Sequence, residues 1–368
     1  MTDQLSHRRE IQGLRALAVL AVLVGHLFPS ALPGGFLGVD IFFLLSGFLI
    51  TEQLLNVRGT ENALHNLLFF YARRVRRILP SALLVIWVTV WLAFKYLGPV
   101  VGNENLVDGR WATLFFANSH FNSLKIDYFA HGSGTPLLQH YWSLAVEEQF
   151  YLFWPLLLLA ITLIFKVSSR RTLLILLSLI SVASFVLIFT TEGSLTYFAT
   201  STRVWELSMG AFFAVVGSFK ISKVIQIFSL LVIAGSLILV SSESQIPGFA
   251  VIPPLLATAF LLRISDKQLA NLLGNPIAHY IGDISFVLYL WHWPIIELHR
   301  QLSTSALTFK DSLTLLAMTF GAAILTHHLF ENPIRFSKYL ISRPKVSVGI
   351  GGLATILSVS STYLLVKG

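Results

Sequence analysis

Cysteine is missing from all 368 residues, which excludes a catalytic thiolate, thiolate-held zinc and disulfide staples. Charge is scarce. Asp, Glu, Lys and Arg make up 12% of the chain, against about 25% in a soluble domain. Beside 55% hydrophobic residues, that shortage excludes a water-soluble globule. Acid is the scarcer sign, with 18 Asp and Glu against 26 Lys and Arg. The bases fall between apolar runs rather than in one patch, which reads as membrane topology and not as nucleic-acid binding. The HExxH, GxSxG, Walker and dinucleotide fingerprints are lacking, and the adjacent His327 and His328 do not share a helix face, so no metal is expected. Eleven histidines remain for acid–base work.

Apolar runs are plentiful. Eleven stretches approach the length that crosses a bilayer core: 11–31, 36–55, 79–99, 143–165, 172–190, 204–219, 225–241, 249–265, 282–300, 311–330 and 346–366. The first contains Arg15 and His26 and leads straight into the next, unlike a cleaved signal peptide. Lipid offers no partner for backbone polar groups, so these runs must be helices. The expected fold is an all-α, multi-pass bundle of about 11 transmembrane helices, with a membrane domain over 1–345 and one further helix at 346–368. Placing the N-terminus in the cytoplasm puts nineteen of the 26 bases on that side and seven on the other, as the positive-inside tendency requires. The C-terminus is then extracytoplasmic.

Two connections stand out. Residues 56–78 include LHNLLFFYARRVRRIL, an amphipathic stretch suited to lie at the cytoplasmic interface. Residues 100–142 form the largest outward loop, carrying Trp111, Asn118, His120, Asp127, His131 and His140, a candidate lid or acceptor surface.

Several polar residues sit where lipid makes them costly. Arg15 and His26 are eleven positions apart, which returns to one helix face about 16 Å along the axis. An extended pantetheine arm has that length, so Arg15 is placed to hold a cofactor phosphate while His26 meets the reactive end. Asp40, near the outer end of the second span, is expected at a depth similar to His26, where a carboxylate fixes the imidazole tautomer. Ser46 is expected to serve packing. Arg73, Arg74, Arg76 and Arg77 concentrate guanidinium groups that suit the phosphates of coenzyme A. At the outer start of the fourth span Trp142, Ser143 and Glu147 are candidate sugar contacts. Arg203 and Glu206 form a similar group, with an ion pair at the outer end of the bundle as the simpler reading. His292 reads as a buried hydrogen-bonding histidine, and Glu331 with Arg335, four apart, suits a salt bridge.

Seven ordered blocks carry a resemblance: Arg15-x10-His26, GVDIFFLLSGFLIT (38–51), FYARRVRRILP (70–80), WSLAVEEQFY (142–151), YFATSTRVWEL (197–207), IGDISFVLYLWHWP (281–294) and HHLFENPIRF (327–336). Together they resemble the acyltransferase 3 family of membrane acyltransferases, particularly bacterial O-antigen and other envelope-polysaccharide O-acetyltransferases. The resemblance implies that His26 is the essential histidine, Arg15 its companion, Arg74 and Arg77 the coenzyme A contact, and Glu331 the family's acidic residue in the tenth span. Relatives with an eleventh span often continue into an extracytoplasmic SGNH hydrolase-like domain. This chain stops at Gly368 as it reaches that side, which reads either as a membrane-domain fragment, with an SGNH-type domain or a separate partner completing transfer, or as a standalone enzyme.

The leading expectation is an enzyme of the bacterial inner membrane that moves an acetyl group from cytoplasmic acetyl-CoA to a hydroxyl of an extracytoplasmic carbohydrate such as lipopolysaccharide O-antigen. Its partners are membrane lipids and the polysaccharide acceptor, with no nucleic acid. The alternative is a proton-coupled exporter of a lipid-linked sugar or acylated metabolite, since transporters also place His, Asp, Glu and Arg within the membrane.

Overall fold

In the computed structural model the described residues are 8–57, 63–129, 134–164, 169–191, 195–217, 219–263, 266–303 and 305–367; His131 and Gly368 lie outside them. No strand occurs among the described residues. In chain order the helices are α1 (Arg9–Leu27), α2 (Leu37–Val57), α3 (Ala63–Thr113), α4 (Ala117–Ser123), α5 (Tyr141–Ile164), α6 (Arg170–Thr190), α7 (Leu195–Phe198) and α8 (Thr200–Val216). There follow α9 (Lys223–Leu239), α10 (Ile252–Leu261), α11 (Lys267–Leu273), α12 (Pro276–Leu302), α13 (Phe309–Thr326), α14 (Asn332–Arg335), α15 (Lys338–Ile341) and α16 (Pro344–Lys367). A single π-helical turn, His327–Glu331, joins α13 to α14.

Each of the eleven expected stretches overlaps a helix among the described residues, but seven of those helices are both long and apolar enough to cross a membrane. α9 and the Phe249–Leu261 segment are shorter apolar helices, and α8 has 17 residues that include Arg203 and Glu206. The most apolar helix is not the most buried. α1 and α2 bury 61% and 67% of their apolar windows, whereas α6 and α16 bury 22% and 17%. Exposed Leu179, Val182 and Val186 on α6, and Leu353, Ile356 and Leu357 on α16, are surfaces that only lipid tolerates at this density.

The helices gather into two compact units, residues 1–58 with 146–285 and residues 59–145 with 286–368. In the first, α8 packs against α2 and α6. A Cβ on Gly47 would stand 1.9 Å from the Leu207 carbonyl oxygen, and one on Gly210 2.0 Å from that of Leu44. The two backbones touch, as small residues permit between membrane helices.

In the second unit α16 packs along α3. Trp87 Nε1 donates to Ser358 Oγ (3.0 Å) and Arg110 Nε to Thr362 Oγ1 (3.0 Å), while the Arg110 guanidinium lies over the Tyr363 ring at 3.6 Å.

The amphipathic stretch expected as a separate interfacial helix and the span after it are one element, since α3 continues unbroken through Pro80. The expected outward loop is also largely helical. Gly98, at φ 86° and ψ 175°, interrupts α3, and the helix restarts with Pro99, whose ring suits a first helical position. α4 follows, bracketed by Phe115 (φ 57°) and Lys125 (φ 54°), two non-glycine residues in the left-handed region.

Candidate functional site

Ala, Leu and Val fill α1, and its apolar composition lets the helix carry two polar side chains into the bilayer. His26 stands in its last turn. The ring Nδ1 lies 2.9 Å from the Val22 carbonyl oxygen one turn back. A carbonyl only accepts, so Nδ1 carries the proton in this contact. Arg15 donates from Nη1 to Gln12 Oε1 at 3.2 Å. Both side chains are half-buried.

The expected pairing of Asp40 with His26 gives way to another. Arg203 Nη1 donates to Asp40 Oδ1 (2.8 Å) and to Glu206 Oε1 (3.0 Å), its Nε donates to the Tyr197 carbonyl (3.0 Å), and its guanidinium lies over the Tyr197 ring at 4.4 Å. Asp40, Arg203 and Glu206 are 2%, 1% and 0% exposed. The physical reason is desolvation: a guanidinium taken from water inside the bundle needs anionic partners, and α2 supplies one while α8 supplies the other. The ion pair expected at Arg203 is therefore present, and the same contacts withdraw Arg203 and Glu206 from open contact with a sugar.

Of the residues expected near the fourth span, Glu147 accepts from Ser46 Oγ at 2.6 Å, so Ser46 does more than pack. Trp154 Nε1 donates to Thr51 Oγ1 (2.8 Å), a second polar link between α5 and α2. In the other unit Trp142 is fully buried with its ring edge-on to Tyr128. Ser143 Oγ lies 2.6 Å from Tyr289 Oη and 3.2 Å from the His140 carbonyl. His292, 1% exposed, donates from Nδ1 to the Tyr289 carbonyl, the buried hydrogen bond expected of it.

The arginine cluster divides. Arg76 turns inward, is 7% exposed, and donates to Ser347 Oγ (3.1 Å) and the Leu340 carbonyl (3.3 Å). That corrects its expected place among the phosphate contacts, because position 76 falls on the helix face toward α16. Arg73 is exposed, and Arg74 and Arg77 are half-exposed. Glu331 accepts from Arg335 Nη1 (3.4 Å), the pair its spacing suggested, and also holds His327 Nδ1 at 2.9 Å. The π turn that places His327 and Glu331 together packs against α3. A π turn often marks a functional position.

Ser46–Glu147, His327–Glu331 and Asp108–His120 are among the links that escaped the sequence reading. The second had a local signal, a His four residues before a Glu. The first has no local signal, because its partners lie 101 positions apart. A groove of about 580 Å³ along α1 is lined by Leu17, Leu20, Val24, Leu237, Leu273 and Ile281 among others, with neither Arg15 nor His26 in its wall.

The profile of the Acyltransferase domain family matches residues 8–328. The chain is similar to the O-acetyltransferase OatA of Staphylococcus aureus (strain NCTC 8325 / PS 47), at 34% identity over 348 residues, covering 88% of this chain and 57% of the relative. It is similar too to the putative peptidoglycan O-acetyltransferase YrhL of Bacillus subtilis (strain 168), at 33% identity over 368 residues, covering 91% of this chain and 56% of the relative. The chain thus spans little more than half the length of these relatives. No solved structure matches it.

Proposed function

The chain belongs to the acyltransferase 3 family, matched over residues 8–328, and from that membership we propose that it is a membrane O-acetyltransferase taking acetyl from cytoplasmic acetyl-CoA to a hydroxyl of a cell-envelope glycan. Peptidoglycan is the favoured acceptor over O-antigen, because peptidoglycan is the polymer in the name of the Bacillus subtilis relative. The envelope membrane of a bacterium is the compartment this requires.

The observation that carries the reading is the tautomer of His26. With Nδ1 donating to the Val22 carbonyl, the basic nitrogen of the neutral ring is Nε2, on the helix that also bears Arg15. In the reaction the acceptor hydroxyl gives its proton to Nε2 while its oxygen attacks the thioester carbonyl. The carbon–sulfur bond then breaks, and the thiolate leaves with the proton returned from the imidazolium. Arg73, Arg74 and Arg77 are the residues proposed for the donor's phosphates, whose oxygens suit bidentate guanidinium contacts.

The experiment uses sealed, oriented vesicles holding the purified protein. Labelled acetyl-CoA is expected to support acetylation only from the side bearing Arg74 and Arg77, and soluble peptidoglycan fragments to react only on the opposite side. Glycan export without label transfer would make the protein a transporter. Donor and glycan both required on the arginine side would end the proposal of transfer across the membrane.

A further inference from the structure

Asp108, Trp111 and His120 form a second polar and aromatic cluster, wholly within the unit of residues 59–145 and 286–368 and apart from the residues assigned above. His120 Nε2 lies 2.9 Å from Asp108 Oδ1, and their side chains are 11% and 9% exposed. The carboxylate accepts from Nε2, which leaves Nδ1 as the ring nitrogen that Asp108 does not engage. Trp111 stacks on this ring, with centroids 5.7 Å apart and planes 14° from parallel, while more than a third of its own surface stays open. One turn before Asp108, Asn105 donates to the Val101 carbonyl, but its Oδ1 is buried without a hydrogen-bond partner. The helix bearing His120 is held at both ends by Phe115 and Lys125 in the left-handed region, strain of the kind that persists where surroundings over-determine a functional position.

A part-exposed indole beside an imidazole and a carboxylate is the chemistry that grips a pyranose: the sugar ring lies against the aromatic side chain and its hydroxyls meet the polar atoms. We infer that Asp108, Trp111 and His120 form a subsite for a hydroxyl-bearing sugar of the acceptor glycan, with His120 Nδ1 accepting from a sugar hydroxyl. This rests on the acetyltransferase reading and on the outward placement expected of residues 100–142. His120 is an acceptor-binding residue, and proton removal stays with His26.

The test uses the full chain in liposomes, acetyl-CoA as donor and chitotetraose, a soluble N-acetylglucosamine oligomer, as the acceptor probe. His120→Gln keeps an amide donor for Asp108 but removes the atom at Nδ1. Its thermal midpoint should match wild type, its KM for chitotetraose should rise about tenfold, and its KM for acetyl-CoA should stay unchanged. Trp111→Leu should raise the same KM alone. An unchanged acceptor KM in both variants, with or without a lower midpoint, makes the pair a clasp between α3 and α4 and overturns the inference. If wild type itself transfers no acetyl group to chitotetraose, this oligomer is not an acceptor and the acetyltransferase reading is judged by the vesicle assay with peptidoglycan fragments. Calorimetric titration with chitotetraose then decides the subsite: binding weakened by both variants upholds it, and absent or equal binding overturns it.

Discussion

His26 Nδ1 and the Val22 carbonyl oxygen lie 2.9 Å apart on one turn of α1. The backbone itself thus sets which ring nitrogen bears the proton, a task more often given to a carboxylate. This frees Asp40 for Arg203. Removing the imidazole should therefore remove chemistry and little else. His26→Ala is expected to lower kcat by roughly 10²–10⁴-fold, with expression and thermal midpoint near wild type. Retained turnover in a labelled acetyl-transfer assay would dismiss His26 as the base. Asp40→Asn should leave the pH–rate profile parallel to wild type, because Asp40 does not tune the ring.

The Asp40–Arg203–Glu206 group should declare itself through stability. Arg203→Met leaves two buried carboxyl groups without their cation, a loss of roughly 3–5 kcal/mol. Adding Asp40→Asn and Glu206→Gln makes the cluster neutral at similar volume and should recover most of that loss, read as the thermal midpoint in detergent. A triple variant no more stable than Arg203→Met alone would show that the charges were not the cause.

Arg76 and its neighbours should separate by measurement. Arg74→Lys with Arg77→Lys keeps the charge but not the bidentate fork, and each lost charged hydrogen bond is worth roughly 1.5–3 kcal/mol, about one to two decades in binding. The KM for acetyl-CoA should rise accordingly. Arg76→Met should leave that KM alone and lower the thermal midpoint, since Arg76 serves Leu340 and Ser347. The opposite pattern would return Arg76 to the donor site.

Asp266 gives a pH prediction outside the spans. Its Oδ1 caps α11 by accepting from the Leu269 and Gln268 amides, both at 3.0 Å, and Lys223 Nζ lies 3.3 Å from Oδ2. The Leu269 amide bond first, then the Lys223 contacts, hold the carboxyl below its ordinary value. A carboxyl depressed on folding contributes above its unfolded pKa and loses that contribution as pH falls through the folded one. Protection of the Gln268 and Leu269 amides from hydrogen exchange should hold above about pH 4 and fall below it. Asp266→Asn, which still caps, should show no such step.

Helix positions were legible because lipid forces every apolar run into a helix, and Arg203–Glu206 and Glu331–Arg335 were legible because their spacing lies within one turn. The partner of Asp40 was not, since a sequence gives neither the rotation of α2 about its axis nor its neighbour. Gly98 and Pro99 read as the end of a span, and the polar residues after them as a loop. The structure uses that pair to restart a helix, whose Asp108 reaches His120 across a turn that no periodicity encodes.

Gly47 and Gly210 refuse a side chain for want of volume, but Gly98 refuses one on grounds of handedness. An added Cβ at Gly98 meets nothing within 4 Å, and the obstacle is its φ of 86°, a backbone state open to glycine and closed to most L-residues. The mirror image of that state is ordinary extended backbone. A D-alanine introduced by chemical ligation should therefore be accepted at Gly98, where L-alanine strains the chain. At Gly47 an L-methyl group meets the Leu207 carbonyl of the neighbouring helix. The same residue type thus serves two separable demands, one of mirror symmetry and one of space, and only stereochemical substitution tells them apart.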